Sequence, residues 1–349
     1  MGELGRRGWV ARILVIAGAT GAAVACGSSS TTDNDASTTS DASDANASDA
    51  TSNDASDATI ADATNDVVGQ DAVAQDATPD VPTVRRPFLV GSAMRAAEPS
   101  PRDDWSDVLP PANDLDDATR AALARAWLDD ALQEHASIAA FARFSMMMMS
   151  VSAPADLVAD SQRASLDEVR HARACFSLAR RYGAEASGPG DLRVDDSMAP
   201  MSLAELAALT AEEGCVGETL GALLADEQAA RATDPVAASI LERIARDEAR
   251  HAELAWKFVA WAVARGGEDV ARAVRAAIAR ATKATLAMEI RPLRVDAKAW
   301  SAHGRLTCAE SRAIAARGIA EIVEPAARAL GSRKADTVGA WRRNEASIR

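Results

Sequence analysis

Apolar positions recur every three to four residues through most of the chain beyond residue 113, the period of helices with one buried face. Six helices follow from this pattern and its punctuation. The first runs from about Asp116 to Val151 and stops before Pro154. The second runs from about Ala155 to Arg181, with Gly183 just past its end. A capping-box pattern, Ser202-Leu203-Ala204-Glu205, starts a third that ends near Arg231. The fourth has Asp234 as cap and Pro235 at its first position and ends before Gly266-Gly267. A fifth spans about Glu268 to Ile290, and a sixth starts at the capping box of Thr307 and Glu310 and ends at Gly331.

The core-facing stripes of the first four helices are interrupted by acids. They read Trp127, Ala131, Glu134, Ile138, Phe141; then Leu157, Ala164, Glu168, His171, Cys175, Leu178; then Leu206, Leu209, Glu213, Val216, Leu220, Leu223; then Leu241, Ile244, Glu248, His251, Ala255, Phe258. Glu134 precedes Glu168 by 34 residues and Glu213 precedes Glu248 by 35, so helices one to four read as two similar hairpins. The pentapeptide Asp-Glu-x-Arg-His occurs twice, at 167–171 and at 247–251, placing a carboxylate and an imidazole one turn apart on a single face each time. Four carboxylates inside one set of helices need compensation, because an unpaired buried charge costs several kcal/mol or more, roughly, even after relaxation. Two divalent cations would balance them, and Glu with His suits iron or manganese.

Glu134, Glu168, Glu213 and Glu248 with two Glu-x-x-His pairs match the ligand set of di-metal carboxylate helix bundles. On these residues the chain, over roughly 117–264, resembles the ferritin-like di-iron superfamily, in particular the branch with a doubled Asp-Glu-x-Arg-His. The resemblance implies an all-α fold, a ferritin-like four-helix bundle with two additional C-terminal helices. It implies Glu134, Glu168, His171, Glu213, Glu248 and His251 as ligands of two iron ions, or of manganese. Asp167 and Asp247 would orient the imidazoles, Arg170 and Arg250 would pair with those aspartates, and Glu218 would be an interhelical or supporting acid. Two bound ferrous ions would react with O2 or peroxide. The expected function is therefore a di-iron oxidoreductase of unassigned substrate. Alternatives are a non-enzymatic iron- or manganese-binding lipoprotein and a metal-free helical interaction module.

Other residues carry less chemistry. His135 points about 100° from Glu134 and reads as an ordinary polar residue. Met146 to Met149 cover every helical face and read as core filler. Cys175 and Cys215 each lie close in sequence to a ligand position, which leaves a pair between helices open. Tyr182 is the only tyrosine and lies 11 residues beyond His171, too far along a helix for a radical partner.

Composition changes the picture at the N-terminus. Arg6, Arg7 and Arg12 precede a 13-residue apolar and small stretch from Ile13 to Ala25, too short to span a bilayer. Ala23-Val24-Ala25-Cys26 resembles a lipobox, which implies a signal peptide over 1–25, cleavage before Cys26 and lipidation of that cysteine. Arg6-Arg7 also resembles a twin-arginine export motif, so both export routes stay open. Between Asp33 and Asp80 lie twelve aspartates with no Lys or Arg, nearly all of the chain's net charge of −13. The acidic balance therefore says little about the partners of the folded part. Residues 26–112 are expected to be a disordered tether, with the helical domain over 113–349 and its C-terminal helices over 267–331. The expected location is the bacterial cell envelope, lipid-anchored on the outer side of the inner membrane or on the outer membrane. The basic residues lack interleaved aromatics, so nucleic acid is not an expected partner, and the oligomeric state is left open.

Overall fold

The computed structural model describes residues 3–18, 86–91, 93–113 and 115–331. The protein is all-α, and the strands among the described residues are two or three residues long. Helix α1 covers Glu3–Ala17, α2 Asp117–Ser150, α3 Ala155–Arg181, α4 Leu203–Thr210, α5 Thr219–Arg231, α6 Pro235–Leu286, α7 Ala297–Ala302, α8 Cys308–Gly318 and α9 Glu324–Gly331. A π-helical segment, Ala211–Glu218, joins α4 to α5, and another, Ile319–Val323, joins α8 to α9.

The caps are where local chemistry puts them. Asp116 accepts from the Thr119 amide at 2.9 Å to start α2. Ser202 with Glu205 and Thr307 with Glu310 form reciprocal capping boxes at α4 and α8. Asp234 caps α6, with Pro235 in its first turn. Gly183 ends α3 at φ +103°, a left-handed conformation that a Cβ would disfavour. The two expected helices on either side of Gly266-Gly267 are one long element broken at Gly267, where φ is +66° and ψ −149°. The short helix α7 was not expected from the sequence.

α2 packs along α3, α4 and α5 pack along α6, and α3 contacts α6. On these long helices the apolar core is not continuous. One cluster holds Leu123, Trp127, Cys175, Tyr182, Leu241 and Trp300. Another holds Phe141, Leu157, Leu220, Trp256 and Phe258. Between them, on α2, α3 and α6, sits a layer of buried acids and imidazoles.

Two N-terminal regions differ from expectation or extend it. The last part of the expected tether is built into the fold: Arg86 and Phe88 are buried, and β3 (Pro99–Pro101) pairs with β4 (Ser187–Pro189). β1 (Leu89–Val90) pairs with β2 (Ala93–Met94). The reason is composition. This stretch carries Phe88, Leu89 and Trp105, whereas residues 27–85 contain no aromatic residue and no leucine. Helix α1 packs on α6 and α9, with Trp9, Ile13 and Ala17 fully buried. Trp9 Nε1 donates to the Ala249 carbonyl at 2.9 Å, and Arg6 Nε to the buried Asp226 carboxylate at 2.8 Å. Cys26 and the Asp-rich stretch lie outside the described residues. Among the described residues, no helix is long and apolar enough to cross a membrane.

Candidate metal centre

The polar layer is made by four helical elements. α2 contributes Glu134, α3 contributes Glu168 and His171, the π-helical segment ends on Glu218, and α6 contributes Glu248 and His251. Each of the six is at most 2% exposed. Glu134, Glu168, His171 and Glu248 offer ligand atoms that all lie within 4.8 Å of one another, and so do Glu218, Glu248 and His251. Glu248 belongs to both groups.

The two imidazoles are held by a crossed pair of aspartates. His171 Nε2 lies 3.1 Å from Asp247 Oδ2, and His251 Nε2 lies 3.2 Å from Asp167 Oδ2. Each aspartate therefore serves the histidine of the other pentapeptide. Arg250 bridges both, at 2.7 Å from Asp247 and 3.2 Å from Asp167, while Arg170 pairs with Asp167. With Nε2 committed to a carboxylate, the inward-facing atom on each ring is Nδ1. His251 Nδ1 is 3.0 Å from Glu168 Oε1, and His171 Nδ1 is 3.4 Å from Glu248 Oε1. Neither Nδ1 makes an aligned hydrogen bond, nor does either oxygen of Glu218, Oε2 of Glu168 or Oε2 of Glu248. Buried polar atoms almost always have partners, so several orphans aimed at one place fit a group of side chains that could hold a metal ion.

The charges lean the same way. Burial disfavours a charged His171, yet Asp247, Glu168 and Glu248 together raise its pKa to about 10. His251 is likewise pushed well up: burial opposes the charge, but Asp167, Glu168 and Glu248 override it. Burial and the adjacent Glu248 drive the Glu218 carboxyl well above its ordinary value. Burial also acts against Glu248, but the two imidazoles hold it well below the usual range. A site this rich in carboxylate gathers positive charge wherever it can.

Five of the six expected ligand positions meet here, and Glu213 does not. Its carboxylate points to two buried arginines, with Arg143 Nη2 at 3.0 Å and Arg86 Nε at 3.6 Å. Burial raises its pKa against the pull of both. Glu218 stands in the cluster instead. The physical reason is the π-helical stretch Ala211–Glu218, which runs between the two glutamates and turns less per residue than the α-helix assumed in reading the stripe. The sequence did hold a signal. Glu218 shares a face with Gly214 and Gly221, and a Cβ at Gly214 would sit 2.5 Å from the Ala255 Cβ. That glycine face is the one pressed on α6. Arg86 and Arg143 carried no recognisable signal in the sequence.

The remaining candidates lie elsewhere. His135 stacks edge-on against Trp105, with ring centroids 5.3 Å apart. Met147 and Met148 are buried, whereas Met146 and Met149 are exposed. Cys175, Cys215 and Cys308 are all buried. Tyr182 lies against His303, its hydroxyl 3.0 Å from Nδ1.

Comparisons with known protein families, with curated proteins and with solved structures found no match. What stands is an all-α protein with a buried carboxylate–imidazole cluster suited to holding metal.

Proposed function

We propose that this layer is a di-iron centre in a ferritin-like four-helix bundle formed by α2, α3, α4–α5 and α6, and that the protein is an oxidoreductase acting on O2 or peroxide. The observation that supports it most is the set of orphaned buried atoms on Glu168, His171, Glu218, Glu248 and His251. The ligand set is Glu134, Glu168, His171, Glu218, Glu248 and His251. Iron held there would supply the electrons for reducing a small oxidant. The chain's own residues do the rest. Asp247 and Asp167 accept the Nε2 protons and so fix the tautomer that offers Nδ1. Glu248, which belongs to both groups, would hold both ions. Phe141, edge-on to His251 at 5.0 Å, helps keep water out. Near-complete burial of all six side chains favours a diatomic or peroxide reactant over a bulky one.

The test is to load the full chain with ferrous ion without oxygen, then mix it with O2 and follow near-ultraviolet absorption. A ferric transition complete within seconds supports the oxidoreductase. A ferrous form stable for hours would leave a metal-binding protein without this chemistry, and no bound metal would leave a helical interaction module.

The second part of the proposal is envelope anchoring through a lipid on Cys26, carried by the lipobox-like Ala23-Val24-Ala25-Cys26. Cleavage before Cys26 would remove α1, and with it the Arg6 bond to Asp226 and the Trp9 packing on α6. Expression in a bacterial host with Cys26→Ser should move the protein from the membrane fraction to the soluble one. If both forms fractionate alike, the anchor is absent.

A further inference from the structure

The second buried charge cluster, formed by Arg86, Arg143 and Glu213, has more positive charge than it can neutralise. Two guanidinium groups, at 2% and 5% exposure, share one carboxylate. Arg143 is well served, bonding Glu213 and the Leu89 carbonyl. Arg86 is not. Its Nε reaches Glu213 only at 3.6 Å, and neither its Nε nor its Nη1 donates to any acceptor among the described residues. Phe141 and Phe144 each lie 4.5 Å from its guanidinium carbon. Such aromatic faces satisfy the plane of the guanidinium but offer nothing to the N–H groups at its edge. Beside them is a cavity of about 10 Å3, room for one water-sized group, lined by Arg86, Arg143, Phe144, Leu209, Thr210 and Glu213.

A buried net charge with unmet donors beside a small cavity calls for an acceptor that carries negative charge. We propose that this cavity is a binding site for one small monovalent anion of halide size, held by the Nε and Nη1 groups of Arg86. Water would satisfy the donors but leave the excess charge, whereas an anion satisfies both. Glu213 sets the affinity, because its carboxylate competes for the same guanidinium. The site is separate from the metal cluster and linked to it by one ring, since Phe141 lies under Arg86 and against His251. The inference does not depend on what the metal cluster binds.

Bromide is the probe. The full chain is kept in sulfate at constant ionic strength, titrated with sodium bromide, and followed by its thermal unfolding midpoint. Crystals soaked in bromide then locate the ion by anomalous scattering. The expected result is a saturable rise in the midpoint and a bromide peak within hydrogen-bond distance of Arg86. Arg86→Gln should abolish the rise. Glu213→Gln, which removes the competing charge, should tighten bromide by about tenfold or more. An equal bromide response in Arg86→Gln, unchanged or weaker binding in Glu213→Gln, or a wild-type cavity holding only water would overturn the proposal. Should Arg86→Gln fail to fold, the wild-type bromide position and the Glu213→Gln titration decide it.

Discussion

Glu213 and Glu218 lie five residues apart on one π-helical segment, both buried, and their surroundings are opposite. Glu213 faces two arginines. Glu218 faces Glu248 and His251, with neither oxygen hydrogen-bonded. Both arrangements answer the same physical demand, since a carboxylate removed from water must have its charge matched. The first is matched permanently by covalently attached cations and is structural. The second makes no ion pair with an arginine or lysine among the described residues and depends on protons or a metal ion. The kind of compensation, more than burial or helix position, separates a supporting acid from a candidate ligand.

The sharpest way to break this comparison is to remove Glu213. Glu213→Ala leaves Arg86 and Arg143 buried without their carboxylate, and should cost about 3–5 kcal/mol in urea unfolding. A cost under about 1 kcal/mol would mean that the arginines find water, and that Glu213 is not the carboxylate on which both depend. Next is removal of metal with a chelator. If free metal normally exceeds its dissociation constant about a thousandfold, stability should fall by about 4 kcal/mol, read as a lower unfolding midpoint that returns when metal is restored. The effect should be absent in Glu248→Ala. Asp247→Asn and Asp167→Asn leave the ligands intact but weaken the hold on each Nε2 proton, so metal affinity should fall about 10–100-fold by competition titration.

The smallest effect comes from a third carboxylate that bridges the comparison. Asp234 caps α6 and bonds Arg181 at 2.8 Å. Burial raises its pKa, but Arg181 and the Ala237 amide outweigh this and hold it below the ordinary 3.8. A lowered folded-state pKa contributes stability that is present above pH 3.8 and lost as pH falls through the folded value. Asp234→Asn should therefore lower stability by about 1 kcal/mol near neutrality. It should also flatten the loss seen in wild type below about pH 4. An unchanged acid limb would assign that loss to other groups.

Much of the fold was legible because it is written locally. Asp116, Ser202, Asp234 and Thr307 start helices through bonds to amides three residues on, and Gly183 and Gly267 mark breaks through positive φ. The doubled pentapeptide showed four of the clustered residues because α3 and α6 are regular α-helix where it sits. α-Helical periodicity puts Glu213, not Glu218, in the stripe with Leu206, Leu209 and Val216, and spacings of 34 and 35 residues agree with matched hairpins. That periodicity fails where backbone geometry changes, as over Ala211–Glu218, and π-helical stretches have no simple sequence rule. The built-in segment at 86–112 was hidden for another reason. Arg86 and Phe88 contribute through contacts with α2 and the π segment, residues far away in the chain, such as the Ser137 hydroxyl donating to the Arg86 carbonyl at 2.8 Å. The crossed aspartates show the same limit. The pentapeptide named Asp167 and Asp247 as partners of histidines, but only the packing of α3 on α6 determines that each serves the opposite one.

The central claim is that Glu218 is a metal ligand and Glu213 is not. Bound metal per chain, measured for full-length wild type, Glu218→Ala and Glu213→Ala under native conditions where each variant remains folded, tests it most directly. The account predicts about two ions in wild type, at most one in Glu218→Ala, and the wild-type content in Glu213→Ala. Full occupancy in Glu218→Ala with loss in a folded Glu213→Ala would contradict it.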